Sequence, residues 1–438
     1  MSQAGPAPSP EDAAADSVRG GRAYYVLVAL VAGLLAGAGA AALGDGLREP
    51  ALQASNMVGG LWLNALKMTV IPLIVALLVT GVAKGAEAAR AGRIAGRTVL
   101  WIVIVCTSSA IFGMLMIQFL LGLFPLPQAA AEALRAGLAG IDPASAAPPV
   151  PGVMDFFRGI VPDNVVAAAS NGDVLPLVVF ALLFAVAAAR IPEQGRRLLV
   201  GFFEAVGDAL LIVIGWVLWI APLGVFALAF TVGASAGGAA FAALAHYVVL
   251  ISVIGVLVTL AGYPLAALAG RTGLGSFARA MIAPQSVAIS TRSSLASLPA
   301  MLAAARVMGI REQVADVSLP MAVALFRATG PAMNVAVAFY VAHWLGMEPS
   351  TGQIIAATAV AAVISYGAVS LPGEVSFISS IAPIAMALGV PIAPLALLVA
   401  VEMVPDIFRT LGNVTLDVAV TAAVDRSAGS EQGQAAPA

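Results

Sequence analysis

Charge is what this sequence has least of. Asp, Glu, Lys and Arg make up 10% of the 438 residues, while 61% are hydrophobic. A soluble domain carries roughly a quarter charged residues, so water is excluded as the solvent for most of this surface and lipid is expected instead. The single cysteine, Cys106, excludes an internal disulfide and a multi-cysteine metal site. Two histidines, His246 and His343, are too few for most metal chemistry. Neither His-Glu-x-x-His nor Gly-x-Ser-x-Gly occurs, and no histidine lies near the serines at 290–297, which argues against an intramembrane hydrolase and any other enzyme. A net charge of −2 leaves no footprint for nucleic acid.

Long apolar runs are what the sequence does have. A membrane-spanning helix needs about 20 mainly apolar residues, and candidates lie at 24–43, 57–83, 97–124, 174–190, 205–231 and 241–269. Residues 1–22 and 425–438 are polar and rich in small residues, and read as disordered tails. Lys84, Arg90, Arg93, Arg97, Arg190, Arg196, Arg197, Arg271 and Arg279 cluster in alternate connections. By the positive-inside rule both termini are then cytoplasmic, and the long connection 127–172 is external. The chain is expected to be a multi-pass protein of the cell inner membrane, in contact with lipid.

Beyond residue 270 the apolar segments are interrupted. STRSSLASLPAM (290–301) and YGAVSLPGEVSF (366–377) share Ser-Leu-Pro, at Ser297-Leu298-Pro299 and Ser370-Leu371-Pro372. Non-helical backbone at membrane depth survives only where protein or a water-filled cavity satisfies it. Each segment therefore reads as a re-entrant helical hairpin, over 276–310 and 352–388. An interrupted helix follows each, at 316–346 with a break expected at Gly330-Pro331, and at 393–424. Paired interrupted segments in corresponding positions point to the binding site of a secondary transporter.

The second of these helices carries VEMVPDIFRTLGNVTLD, residues 401–417. Glu402, Asp406, Arg409, Asn413 and Asp417 follow one another at spacings of 4, 3, 4 and 4, which puts them on one helical stripe. Left unpaired in a bilayer, such a stripe costs about 10 kcal/mol. Structural ion pairs account for Glu402, Asp406 and Arg409 but leave Asn413, Asp417 and the hairpin tips without a purpose. The guanidinium of Arg409 matches a carboxylate bidentately, and Asp406 accepts from an ammonium. Together they suit a small anionic or zwitterionic substrate. Asp417 and Asn413 are hard oxygen ligands for a small cation, joined by carbonyls at the Gly330 break. Ser293 and Ser294 offer polar groups at the first tip, and amides around Gly373 suit an anion at the second.

These segments resemble the dicarboxylate/amino acid:cation symporter family, the glutamate transporter homologues. The similarity starts near residue 23. It includes NALKMTVIPLIVALLVTGVA (64–83), VPDNVVAAASNGDVLPLVVFALLFAVA (161–187), IAPLGVFALAF (220–230), STRSSLASLP, SLPGE and DIFRTLGNVTLD. The resemblance implies an all-α polytopic membrane protein of eight transmembrane helices plus two re-entrant hairpins, with inverted repeats, assembled as a homotrimer. In it, a transporter unit over 23–424 divides into a scaffold, mainly helices 1, 2, 4 and 5, and a transport domain. The latter comprises mainly helices 3 and 6, both hairpins and the last two helices, and shifts like an elevator.

The resemblance also implies residue roles. Arg409 binds the substrate's side-chain carboxylate and Asp406 its amino group. Thr410, Asn413, Ser293, Ser294 and the backbone at Leu371 and Gly373 hold the α-carboxylate end. Asp417, Asn413 and the carbonyls of Gly330 and Asn334 bind one sodium ion, and Ser365 helps form another site. Glu402 pairs with Arg292. The implied function is symport of aspartate or glutamate with sodium and no bound cofactor; a proton-coupled C4-dicarboxylate or atypical amino acid carrier is the alternative. Asp406 favours an amino acid, because C4-dicarboxylate members usually carry serine there.

This sequence departs from the family pattern in places. The family's Asn-Met-Asp-Gly-Thr is here Asn334-Val335-Ala336-Val337-Ala338, and Ile102, Val105 and Cys106 stand where the third helix supplies Tyr and Thr-Ser. One sodium site is therefore expected to be lost. Arg327 and Glu374 are charges that the family usually lacks; either Arg327 supplies part of the positive charge that a bound cation supplies elsewhere and Glu374 adds a protonatable group or meets a cationic part of the substrate, or Arg327 snorkels or pairs and Glu374 is solvated at an external loop.

Overall fold

The computed structural model describes residues 10–40, 45–90, 92–128, 131–132, 161–236, 239–325, 327–365 and 373–432. Its helices begin with α1 (Pro10–Ala40), α2 (Asp45–Arg90), α3 (Arg93–Leu123), α4 (Val165–Asn171) and α5 (Val174–Ala188). Then come α6 (Glu193–Trp219), α7 (Ala221–Ala236), α8 (Ala239–Leu268), α9 (Leu274–Thr291), α10 (Ser294–Val307) and α11 (Glu312–Leu325). The chain continues with α12 (Thr329–Leu345), α13 (Thr351–Ile364), α14 (Gly373–Leu388), α15 (Ala393–Leu398) and, after a 3-10 turn at Val399–Val401, α16 (Met403–Gln432). No strand occurs among the described residues.

Six described segments are long and apolar enough to cross a membrane, in α2, α3, α6, α8, the α11–α12 pair and α16. Their outer faces are oily. On α3, Leu100, Ile104, Ile111, Leu115 and Phe119 are exposed, while Ile102, Cys106, Ser109, Gly113 and Ile117 turn inward. A contiguous exposed apolar face of this kind needs lipid or protein to cover it.

The helices form two mutually packed sets. In one, α1 lies along α7, and α2 packs on α5, α6 and α7. Lipid gives helices little hydrophobic drive to associate, so such interfaces rely on small residues and close approach. A Cβ on Gly37 would lie 2.1 Å from the Phe230 carbonyl oxygen, and one on Gly233 2.3 Å from that of Leu34. Trp62 of α2 lies against Gly224 and donates its indole N–H to the Val217 carbonyl at 2.9 Å. Gly37→Leu is therefore expected to lower stability by at least about 1–3 kcal/mol through overpacking. Gly39→Leu, where a Cβ meets nothing within 4 Å, is expected to be neutral. Thermal unfolding of the two purified variants compares them directly.

In the second set, α12 is the centre, buried continuously from Thr329 to Ala342. Around it pack α3, α8, α13, α14 and α16, with the antiparallel pair α9–α10 against α16. The pair α9–α10 turns at Arg292–Ser293, within the hairpin expected at 276–310. The pair α13–α14 spans the hairpin expected at 352–388, whose tip, residues 366–372 with Leu371, lies outside the described residues.

Two boundaries differ from expectation. The run 205–231 is two helices, α6 and α7, parted at Ile220; Pro222 lacks the N–H needed to continue α6 but sits without cost in the first turn of α7. The break in 316–346 falls between Leu325 and Thr329, ahead of Gly330-Pro331. The same rule applies, since Pro331 occupies the first turn of α12. At the ends, α1 begins at Pro10 and α16 runs to Gln432, so helical backbone extends into both segments read as tails. Alanines with Glu11 and Asp12 near a helix start favour this.

Candidate functional site

The stripe on α16 is wholly inside the second set of helices: Glu402 is 2% exposed, Asp406 9%, Arg409 5%, Asn413 4% and Asp417 0%. The helical period aligns them, and the 3-10 turn before Glu402 brings that side chain in at the head of the row. Each group is met by a different element.

Glu402 accepts from Arg409 Nη1, two turns along the same helix, and from the Tyr247 hydroxyl of α8 at 3.1 Å. Arg292 places Nη1 3.8 Å from Asp406 Oδ2. The expected Arg292–Glu402 pair is thus corrected: Arg292 faces Asp406, and Glu402 is taken by Arg409 and Tyr247. The reason lies at the hairpin turn, where Arg292 adopts a left-handed conformation (φ 52°) that a non-glycine residue accepts only when its surroundings hold it there. Asp406 Oδ1 is also 3.4 Å from Arg409 Nη1.

Asn413 Oδ1 accepts the Thr329 N–H at 2.9 Å. A side chain of α16 thereby satisfies one of the free amide groups at the broken start of α12. On the other side of the break, the Ser109 hydroxyl of α3 donates to the Ala328 carbonyl. Thr107 and Ser108 of the same helix face outward, and Cys106 and Ile102 are buried. Gly412 lets α16 approach the start of α12: a Cβ there would lie 2.3 Å from Thr329 Oγ1. The Thr410 hydroxyl is turned onto its own helix, donating to the Asp406 carbonyl at 3.0 Å.

Gly330, Ser365, Asn334 and Arg327 meet at the break. A Cβ on Gly330 would sit 3.5 Å from Arg327 Cβ, 3.7 Å from Ser365 Oγ and 3.8 Å from Asn334 Nδ2. Ser365 is buried and donates to the Ala361 carbonyl at 2.9 Å. Arg327 donates to Ser376 Oγ of α14 at 3.3 Å, which ties the break to α14. At the first hairpin, Ser293 caps α10 by accepting the Ala296 N–H at 3.2 Å, and Ser294 is half-buried beside it. Gly373 opens α14; the side chain of Glu374 lies outside the described residues. Ala336 and Ala338, at the positions where the family pattern has Asp and Thr, are fully buried.

Some buried polar atoms on this face have no hydrogen-bond partner among the described residues: Arg409 Nε and Nη2, both oxygens of Asp417, and Thr329 Oγ1. Unpaired buried charge is costly, so these atoms are the candidates to receive incoming groups. The free Nε–Nη2 edge of Arg409 has the fork geometry for one carboxylate. The bare Asp417 carboxylate, fully buried near the positive N-terminal end of α12, suits a small hard cation.

Tyr247 was passed over by the sequence reading, and Ser109 was noticed there only with Thr107 and Ser108, as hydroxyls that follow Cys106. Tyr247 sits in a mainly apolar helix with no motif around it. Ser109 shares the inward helical face of Ile102 and Cys106, which was a usable signal.

The sodium:dicarboxylate symporter family matches residues 23–427. The chain is 27% identical over 448 residues to a C4-dicarboxylate transport protein of Rhizobium etli, covering 95% of this chain and 93% of the relative. It is 27% identical over 405 residues to a proton/sodium-glutamate symport protein of Bacillus caldotenax, covering 90% and 91%. It is 26% identical over 402 residues to the proton/glutamate-aspartate symporter of Escherichia coli K12, covering 90% and 89%.

Proposed function

Because the chain belongs to the sodium:dicarboxylate symporter family, we propose that it takes up aspartate or glutamate by symport with a cation, and that sodium is this cation. The family consists of transporters, not enzymes. The observation that carries the reading is the unpartnered Nε–Nη2 edge of Arg409, buried one turn from Asp406. A substrate carboxylate closes that edge, and an ammonium shares Asp406. Thr410, Asn413, Ser293, Ser294, Leu371 and Gly373 surround the remaining end. Asp417 takes the sodium ion, with Asn413 and the carbonyls of Gly330 and Asn334; Ser365 contributes to a second site. The absence of a carboxylate at Ala336 supports the loss of one site.

Uptake then proceeds by an elevator-type shift of the helices gathered around α12 against those around α2. Support comes from the segregation of the two sets and from the close α1–α7 contact within one of them. Eight helices cross the inner membrane, the two hairpins re-enter it, both termini are cytoplasmic, and three copies assemble.

One contact favours a second reading. Arg292 already lies 3.8 Å from Asp406, so a substrate with two carboxylates and no ammonium meets two guanidinium groups. A proton-coupled C4-dicarboxylate carrier would use the site in this way. Purified protein in liposomes, given labelled aspartate, glutamate and succinate under separate sodium and proton gradients, decides between them. Sodium-driven aspartate or glutamate uptake is the expected result. Succinate uptake driven by protons alone would overturn the first reading.

A further inference from the structure

We infer that Ser109 of α3 is a positioning residue of the substrate site. It holds the peptide between Ala328 and Thr329, and through that peptide it sets which end of the Asn413 amide is offered to the bound carboxylate. The inference rests on the symport reading above and deepens it.

It begins from a helix that does not cap itself. Asn164, Ser293 and Ser350 cap α4, α10 and α13 with their own side chains. The residue in that place before α12 is Ala328, which makes no side-chain cap. Two other helices serve it instead. Asn413 of α16 accepts the Thr329 N–H at 2.9 Å, and Ser109 of α3 donates its hydroxyl to the Ala328 carbonyl. That N–H and that carbonyl belong to one peptide unit, whose trans geometry points them in opposite directions. The unit is gripped at both ends, and Ser109, Ala328, Thr329 and Asn413 are all buried.

Ser109 behaves unlike Thr98 and Thr107 of the same helix. Those two donate to carbonyls four residues back on α3, at 2.9 and 2.7 Å, a common choice for a helical hydroxyl. Ser109 reaches a residue 219 positions away. Gly113, one turn on, lets α3 lie this close: a Cβ there would sit 2.3 Å from the Ala332 carbonyl oxygen. The consequence falls on Asn413. Of its two amide ends only the oxygen can accept an N–H, so the Thr329 contact fixes the amide's orientation. Its NH2 group is then the end left to donate to a carboxylate, one turn from Arg409, while the second lone pair of its oxygen suits a cation. If the peptide turns, this constraint is lost, and the amide can present its oxygen to the anion instead.

The test uses the full chain in liposomes with labelled aspartate, or with succinate should that be the acid carried, and thermal unfolding of the same preparations. Ser109→Ala removes the donor, Ser109→Cys fills the space with a weak one, and Ser109→Thr keeps the hydroxyl. KM is expected to rise about tenfold in Ser109→Ala and Ser109→Cys, the effect of about one hydrogen bond. Their maximal rates are expected to stay within about twofold of wild type. Ser109→Thr, and Ser108→Ala on the outward side of α3, are expected to match wild type. Added to Asn413→Ala, Ser109→Ala is expected to raise KM by less than about twofold further, because both changes act on one group. An unchanged KM in Ser109→Ala and Ser109→Cys would overturn the inference, even if unfolding temperature and maximal rate fell. So would a Ser109→Thr as impaired as Ser109→Ala, or a full additional loss on top of Asn413→Ala. Wild-type protein that carries no aspartate, glutamate or succinate under any gradient would defeat the symport reading itself, and this inference with it.

Discussion

Arg409→Ala is expected to abolish aspartate and glutamate uptake, lowering it by roughly 100-fold or more. Two losses combine. The substrate carboxylate loses its bidentate partner, and truncating one member of a buried charge pair costs about 2–5 kcal/mol, which is about 1.5 to 3.5 decades in binding. Glu402 also loses its ion partner, leaving Tyr247 as its carboxylate's hydrogen-bond donor among the described residues. Arg409→Lys separates the two effects. An ammonium still serves Glu402 but cannot present two parallel donors, so stability is expected to recover while uptake stays low. Labelled uptake and thermal unfolding, measured on the same preparations, read both. Normal aspartate transport by Arg409→Ala would show that the substrate site has been misassigned.

The second large effect is expected at Asp417, and its readout is independent of transport. A cation that binds the folded protein stabilises it by RT ln(1 + [L]/Kd), about 2.7 kcal/mol at 100 times Kd. Wild-type protein is thus expected to unfold at progressively higher temperature as sodium is raised, at constant ionic strength with choline. In Asp417→Asn that dependence is expected to vanish and coupled uptake with it. The reason is specific to this residue. Both oxygens are fully buried and accept no hydrogen bond among the described residues, so a cation is the natural partner for their charge, whereas an amide has no such charge to offer. Sodium stabilisation that survives undiminished in Asp417→Asn would place the ion elsewhere.

Much of this molecule was legible in the sequence. The composition required a lipid solvent, and helices α9–α10 and α13–α14 lie over the interrupted stretches beyond residue 270. The buried stripe from Glu402 to Asp417 could be read from spacing alone. These features are local: a helical period, a proline lacking its donor or a serine-rich interruption acts within a few residues of itself. What the tertiary structure decided was which charge answers which. Glu402 belongs to Arg409 and to a tyrosine 155 positions away, while Arg292 turns to Asp406. Asn413 caps a helix that begins 84 residues earlier, and Ser109, not its hydroxyl neighbours, reaches the same break. Such pairings depend on which helix faces meet and at what depth, and packing alone sets that. The sequence by itself therefore determined that five polar groups must share one buried face. Only the fold determined that Arg409 and Asp417 would keep atoms open there, while Glu402, Asp406 and Asn413 found partners on other helices.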